Sequence, residues 1–115
     1  MSLKDEISAG IAAHGQWKVK FREFMQGKLE LDAAIVQKND QCQFGKWLES
    51  DGKLHLSTPD YQELHELHTS FHAVAATVIR KKKSGDLVGA QKDLDSGGLF
   101  ASASAALTRK MMTVK

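Results

Sequence analysis

Apolar residues recur at gaps of three and four along most of this chain, and no other feature limits its possible folds as much. The longest such series has gaps of three, four, three, four and three, and it consists of Tyr61, Leu64, His68, Phe71, Ala75 and Val78. This spacing places the side chains on one face of an α-helix, which must be buried against other elements. Pro59, the single proline, stands just before the series, where a helix tolerates it. The pattern therefore predicts an all-α protein.

The same reasoning divides the chain into helical segments that are separated by short breaks. Their approximate bounds are 3–26, 29–37, 40–53, 58–85 and 86–111, the last loosened around residues 96–98. The segment that begins at residue 40 is shorter than the main helices and carries the only cysteine. We predict an antiparallel four-helix bundle with a short extra helix that carries the cysteine motif, all within a single domain of residues 1–115.

Two of these helices have recognisable start signals. Thr58 is the expected N-cap of the long helix that follows, with Pro59 at its first helical position. Asp40 is the expected cap of the short helix, because Gln43 three residues later resembles the second half of a capping box. This assignment puts Cys42 in the first turn, where the helix dipole favours the thiolate form.

Length, charge and cysteine content narrow the class of protein. The 115 residues suffice for one domain, and a formal net charge of only +2 does not favour a nucleic-acid partner. One cysteine cannot form an internal disulfide, which fits a reducing compartment. No apolar run approaches the ~20 residues that span a bilayer, and residues 1–6 lack the apolar core of a signal peptide. We therefore expect a cytoplasmic protein that binds neither membrane nor nucleic acid.

Three histidines occupy positions that favour a metal site. His68 and His72 are one helical turn apart, so both imidazoles reach the same side of their helix. His68 and His14 each stand in an apolar stripe, where leucine would be the ordinary residue. Taken singly, each histidine is more simply interpreted as a packed residue whose nitrogens have local partners. Together with Cys42, however, they form a set of four nitrogen and sulfur ligands of the kind that structural zinc takes.

Short stretches around these residues resemble a known family. Residues 42–47, Cys-Gln-Phe-Gly-Lys-Trp, match the Cys-x-Leu/Phe-Gly-x-Trp motif of the chemoreceptor zinc-binding domain. Residues 14–18 and 68–72 resemble its first-helix histidine and its paired histidines. The resemblance implies a four-helix bundle that holds one zinc ion per chain through three histidines and one cysteine. Carried over residue by residue, the implied ligands are His14, Cys42, His68 and His72.

The resemblance also implies a role in bacterial signal transduction. Members of this family sit at the end of chemoreceptors or regulate attached diguanylate cyclases, and they respond to zinc or to oxidants that act on the zinc-bound cysteine. They often pair as homodimers. The expected partners are therefore a second copy of the chain and a receptor or effector domain. Neither a receptor signalling helix nor a cyclase domain is found in the sequence, so we expect either a free-standing member or a fragment.

Other functions fit the sequence less well. The run His65-Glu66-Leu67-His68 is one residue short of the His-Glu-x-x-His motif of zinc proteases, which displaces the second histidine by about 100° around the helix. The Glu-x-x-His pairs of di-iron bundles are missing, and four nitrogen and sulfur ligands would leave zinc no open position. We therefore expect no enzymatic activity. A purely structural zinc bundle and a metal-free interaction bundle stay open as alternatives.

Other residues of the same stretches have supporting interpretations. Trp17, Phe44 and Trp47 are expected to pack around the site. His65 is interpreted as a surface or packing residue, with exchange for a ligand or contact with a partner chain as the alternative. His55 is expected in a solvated loop.

Overall fold

The computed structural model describes residues 3–38 and 43–113, and all regular secondary structure in those ranges is helical. The all-α class predicted from the apolar spacing is thereby confirmed. In chain order the elements are α1 (Leu3–Gly15), α2 (Trp17–Met25), α3 (Ala33–Gln37), α4 (Gln43–Trp47), a π-helical turn (Leu48–Gly52), α5 (Lys53–His55), α6 (Thr58–Lys83), α7 (Leu87–Leu94) and α8 (Leu99–Thr113). None of the helices in these two ranges is both long enough and apolar enough to cross a bilayer.

Helices α1 and α2 form one nearly continuous rod. Gln16 between them keeps right-handed helical dihedrals, φ −66° and ψ −19°, so the chain direction is preserved across the break. The rod ends at Gly27, which has φ +77°, a conformation that glycine adopts without steric cost. The single helix predicted over residues 3–26 is therefore present, with an interruption at Gln16.

The short helices between the two long rods depart most from the prediction. Asp32 caps α3, because its carboxylate accepts from the backbone N–H groups of Ala34 and Ile35. The predicted stop at residues 51–53 is wrong: Gly52 has helical dihedrals, φ −58° and ψ −39°, and the chain continues through the π turn into α5. His55 consequently lies in α5 and not in a loop, although it is exposed as expected.

Helix α6 is the central element of the fold and contacts α3, α7 and α8. Its N-cap is Ser57, whose hydroxyl accepts from the backbone N–H of Asp60 at 3.3 Å, so the assignment of the cap to Thr58 is wrong by one residue. Ser57 has the extended backbone of a cap residue, with ψ 156°, and the helix begins at the next residue, Thr58. The helix ends at Lys83, before Gly85 with φ +94°.

Ion pairs at both ends of α6 join it to the two helices that follow it. Lys110 near the end of α8 is paired with Asp60 at 2.8 Å, at the start of α6. Lys81 near the end of α6 is paired with the buried Asp93 of α7 at 2.7 Å. Helix α8 therefore runs antiparallel to α6. The predicted break before α8 is confirmed, since α7 ends at Leu94 and α8 begins at Leu99.

Three phenylalanines join these elements in the middle of the core. The ring of Phe100 in α8 lies 4.8 Å from that of Phe21 in α2 and 5.2 Å from that of Phe71 in α6, measured between centroids. All three side chains are buried, and large aromatic side chains contribute most per residue to such a core. The two long rods and α8 are thus packed around a single core that also reaches the histidines of α1 and α6.

Candidate metal centre

Three of the four predicted ligands lie together in the core. One ring nitrogen from each of His14, His68 and His72 lies within 4.8 Å of the others. Each of the three side chains is at most 2% exposed. His14 comes from the last turn of α1, and the other two come from adjacent turns of α6. The apolar stripes that bury these faces of α1 and α6 are therefore also what brings the three imidazoles to one place.

The orientation of two imidazoles is fixed by backbone carbonyls. Nδ1–H of His14 donates to the carbonyl of Gly10 at 2.7 Å, and Nδ1–H of His72 donates to the carbonyl of Val36 at 2.8 Å. A carbonyl only accepts, so these partners assign the proton of each neutral ring to Nδ1. Nε2 of both rings then presents a lone pair. Histidines that ligate metals commonly have this outer hydrogen bond.

His68 completes the group through its neighbour one turn away. Its Nε2 lies 3.0 Å from Nε2 of His72. Two nitrogens that share a tetrahedral zinc with bonds of ~2.0–2.1 Å would be ~3.3 Å apart, so the observed separation is close to what an ion between them requires. Without an ion, Nε2–H of His68 donates to the lone pair of His72. The three residues fit a zinc ion by donor type, orientation and separation.

Burial keeps all three rings neutral. It is the largest cause of the lowered pKa of His14, His68 and His72, because the charged form loses its hydration. The pKa of His68 falls to about 3, since His72 and His14 add unfavourable charge interactions to the effect of burial. At neutral pH the cluster is therefore in the unprotonated form that metal binding needs.

Phenylalanine rings surround the cluster. Phe44 of α4 lies 5.7 Å from the ring of His14 and 5.2 Å from that of His68. Phe71 lies 5.0 Å from His14 and 5.5 Å from His72. An apolar shell of this kind excludes water and strengthens the electrostatic interactions inside it.

The two tryptophans that were expected near the site differ in their positions. Trp47 is buried and packs on Phe44 at 5.7 Å, so it supports the site from one layer further out. The ring of Trp17 contacts Phe21 at 5.6 Å and carries Lys20 Nζ over its face at 4.5 Å. Trp17 is partly buried against the same core, and its expected place around the site stays a prediction.

Two further predictions on candidate residues have different outcomes. Cys42 lies outside the described residues, as does its expected cap Asp40. His65 is described and lies outside the cluster: its side chain is 44% exposed, and its Nε2 lies 3.2 Å from Glu49 Oε1. Glu49 belongs to the π turn, so His65 connects that turn to α6.

Sequence reasoning missed two residues that position the ligands. Gly10 supplies the carbonyl for His14, and a Cβ at Gly10 would lie 2.6 Å from the ring of Phe44. A glycine four residues before a histidine within a helical stripe was the available signal. Val36 contributes only its carbonyl to His72, from 36 residues away, and its side-chain type carries no signal for that role.

Three buried imidazoles whose ring nitrogens converge define a metal-binding helical domain. A family model described as the chemoreceptor zinc-binding domain matches residues 14–79, more than half of the chain. The chain belongs to this family, which confirms the resemblance seen in the sequence. The matched range contains all three clustered histidines and residue 42. Searches of curated proteins and of solved structures gave no match.

Proposed function

We propose that this protein is a zinc-binding regulatory domain of bacterial signal transduction, acting in chemotaxis or in cyclic-di-GMP control. One zinc ion per chain would be held by His14, Cys42, His68 and His72. The observation that carries the proposal is the pair of imidazoles anchored at Nδ1 by the carbonyls of Gly10 and Val36. Nε2 of His72 lies 3.0 Å from Nε2 of His68, and one ring nitrogen of His14 lies within 4.8 Å of a ring nitrogen of each. Membership of the family supports the identity of the metal.

The cysteine and the three histidines would have different roles as ligands. Bound zinc supplies a positive charge that stabilises the thiolate of Cys42. With zinc bound, His14 and His72 would contribute their Nε2 lone pairs, and His68 would do the same with its ring proton on Nδ1. All three lie on α1 and α6, so their positions should change little when the fourth ligand changes. Phe44 lies two residues after Cys42 and rests on His14 and His68. A change at Cys42 therefore has a direct route to the start of α4.

The experiment that tests the site compares histidines inside and outside the cluster. Zinc per chain is measured by elemental analysis of purified, zinc-reconstituted protein. His14→Gln, His72→Gln and Cys42→Ser should each lower the content or the affinity, because three ligands hold zinc less tightly than four. The matched control is His65→Gln, which changes an exposed histidine of the same helix. Full zinc binding by His72→Gln, or an equal loss in His65→Gln, would refute the assignment.

Two signals are consistent with such a site, zinc availability and oxidants. In the oxidant mechanism the Cys42 thiolate attacks one oxygen of hydrogen peroxide, the O–O bond breaks, and the products are a sulfenic acid and hydroxide. The sulfenic sulfur is a weaker zinc ligand, so zinc release should follow. Peroxide-treated protein is assayed with a colorimetric chelator and by Trp47 fluorescence, with Cys42→Ser as control. If the treated protein releases no more zinc than untreated protein, the oxidant mechanism is refuted and zinc availability remains as the proposed signal.

A purely structural zinc bundle is the second candidate, and the deep burial of all three histidines favours it. Such a site exchanges its metal slowly and resists both chelators and oxidants. The two candidates share every ligand, so only kinetics separate them. Zinc transfer to a chelator of matched affinity should reach equilibrium within minutes for a sensor. Retention over many hours, together with resistance to peroxide, would favour the structural role.

We further propose the wider setting of this domain. The chain forms one domain over residues 1–115, an antiparallel four-helix bundle with a short extra helix that carries the cysteine motif. The domain has no enzymatic activity of its own, acts in the cytoplasm as a homodimer, and transmits its state to a receptor or effector domain. Sedimentation velocity at micromolar concentration tests the homodimer, and a single monomeric species would refute it.

A further inference from the structure

A cleft whose lining includes none of the clustered histidines is open between α2, α7 and α8. Its volume is about 320 Å³, at the lower end of the ~300–1,000 Å³ range of small-molecule sites. The apolar wall comes from three helices and consists of Phe21, Met25, Leu94 and Phe100. Helices α7 and α8 lie beyond the residues matched by the family model, whereas α2 lies within them.

The mouth of the cleft is positively charged on one side. Lys18 and Arg22 both line it and are four residues apart on α2, so their side chains lie on the same face of that helix. Both are exposed, and within residues 3–38 and 43–113 neither forms an ion pair with a carboxylate. The amides of Gln26 and Gln91 also line the cleft, and that of Gln91 donates to Asp95 at 2.9 Å. The cleft thus combines two unneutralised cations with an apolar interior.

We propose that this cleft binds a small organic anion with an apolar body, such as a medium-chain fatty acid or an aromatic carboxylate. The apolar body would lie against Met25, Leu94 and the edges of Phe21 and Phe100. The anionic head would lie at the mouth, between the ammonium of Lys18 and the guanidinium of Arg22. Arginine binds carboxylates through two parallel hydrogen bonds, which favours a planar anion. This site shares no side chain with the histidine cluster, so the proposed anion binding does not depend on whether the cluster binds zinc.

A pair of matched fluorescent probes tests the chemistry of the ligand. 8-Anilinonaphthalene-1-sulfonate and N-phenyl-1-naphthylamine have the same aromatic body, and only the first carries an anionic group. We expect zinc-reconstituted protein to bind one sulfonate probe per chain, about tenfold more tightly than the neutral probe, the size of one charge-assisted contact. Decanoate should displace the probe at lower concentration than decanol does.

Variants locate the binding. Lys18→Gln and Arg22→Gln should each weaken the sulfonate probe by about tenfold and leave the neutral probe unchanged. The control is Lys20→Gln, which removes the same charge from α2 but at a residue that does not line the cleft. Ala101→Leu fills the cleft from α8 and should reduce the binding of both probes. Zinc content and near-ultraviolet circular dichroism establish that each variant is folded.

Several outcomes would overturn the proposal. Unchanged probe binding in Ala101→Leu would place the probes elsewhere. Equal affinity for the two probes, with no effect of Lys18→Gln or Arg22→Gln, would exclude an anion site. The protein concentration at which sedimentation shows a dimer can be compared with that at which probe binding is lost. If the two coincide, a second copy of the chain covers the cleft.

Discussion

The three clustered histidines are not equivalent as residues. Backbone carbonyls orient His14 and His72, and burial among the other two lowers the pKa of His68 furthest. His68 also occupies a stripe position where leucine would serve the core. The sequence therefore retains an imidazole at a place where packing alone favours an apolar side chain, which is what a ligand role requires.

Replacing that imidazole separates packing from metal binding. His68→Leu should fold, because leucine fits a fully buried helical stripe, but its melting temperature should no longer rise when zinc is added. In the wild-type protein, zinc at a thousand times its Kd should add about 4 kcal/mol to the free energy of unfolding. Calorimetry with zinc and with EDTA measures the difference. A zinc-dependent rise of normal size in His68→Leu would remove this residue from the ligand set.

How much of the site could be predicted depends on the range of each interaction. His14, His68 and His72 could be found because helical periodicity is local and places them on buried faces. The carbonyl of Val36 could not, since it reaches His72 only through the packing of α3 on α6.

At the scale of elements, the contact between α1 and α4 depends on the lack of a side chain at Gly10. The ring of Phe44 occupies the space over Gly10 and at the same time packs on His14. Another glycine of the same helix, Gly15, has nothing within 4 Å of the position of a Cβ. The two glycines of α1 therefore offer a matched pair, one required by packing and one not.

These glycines should respond in opposite ways to alanine. Gly15→Ala should stabilise the protein by ~0.5–1 kcal/mol through helix propensity. Gly10→Ala should destabilise it by ~1–3 kcal/mol, because Phe44 must move away from α1. Urea denaturation measures both changes. In a Trp17→Phe background, Trp47 fluorescence reports the displacement because that ring packs on Phe44. Equal stabilisation by the two substitutions would mean that Phe44 does not hold α4 against α1.

The element bounds show where local signals decide the structure. The long apolar stripe predicts α6 to within a few residues, and glycines 27 and 85 end helices with positive φ as their residue type suggests. Gly52 provides no such stop, since it keeps helical dihedrals beneath the ring of Trp47, where an added Cβ would lie 3.2 Å from that ring. Tertiary packing of an aromatic ring overrides the usual role of glycine there, and periodicity does not contain that information.

For the whole molecule, the buried histidines predict how metal-free stability depends on pH. Each has a folded-state pKa below the ordinary value of 6.5. Between that value and about 3, the folded-state pKa of His68, the unfolded chain binds more protons than the native one. The free energy of unfolding is therefore highest above pH 6.5 and falls as the pH is lowered through this window, by up to ~1.4 kcal/mol per pH unit for each histidine.

Urea denaturation in EDTA at pH 7.5, 6.0 and 5.0 measures this dependence. Asp60, whose pKa is lowered by its hydrogen bond to Lys110, affects stability only near and below its ordinary value of 3.8, so this range isolates the histidines. His68→Leu should show a shallower decline than the wild-type protein. A metal-free protein equally stable at pH 7.5 and 5.0 would contradict the burial of neutral imidazoles.

The sequence separation of the three imidazoles has a consequence for the order of folding. His68 and His72 need only one turn of helix to face each other, and such a turn forms in less than a microsecond. His14 joins them only after the intervening α2–α5 have been arranged around α6, and closing so long a loop carries an entropic cost. Metal present during refolding would therefore meet a two-histidine site first. We expect zinc added before refolding to raise the early helical signal in stopped-flow circular dichroism, whereas zinc added afterwards changes only the final stability.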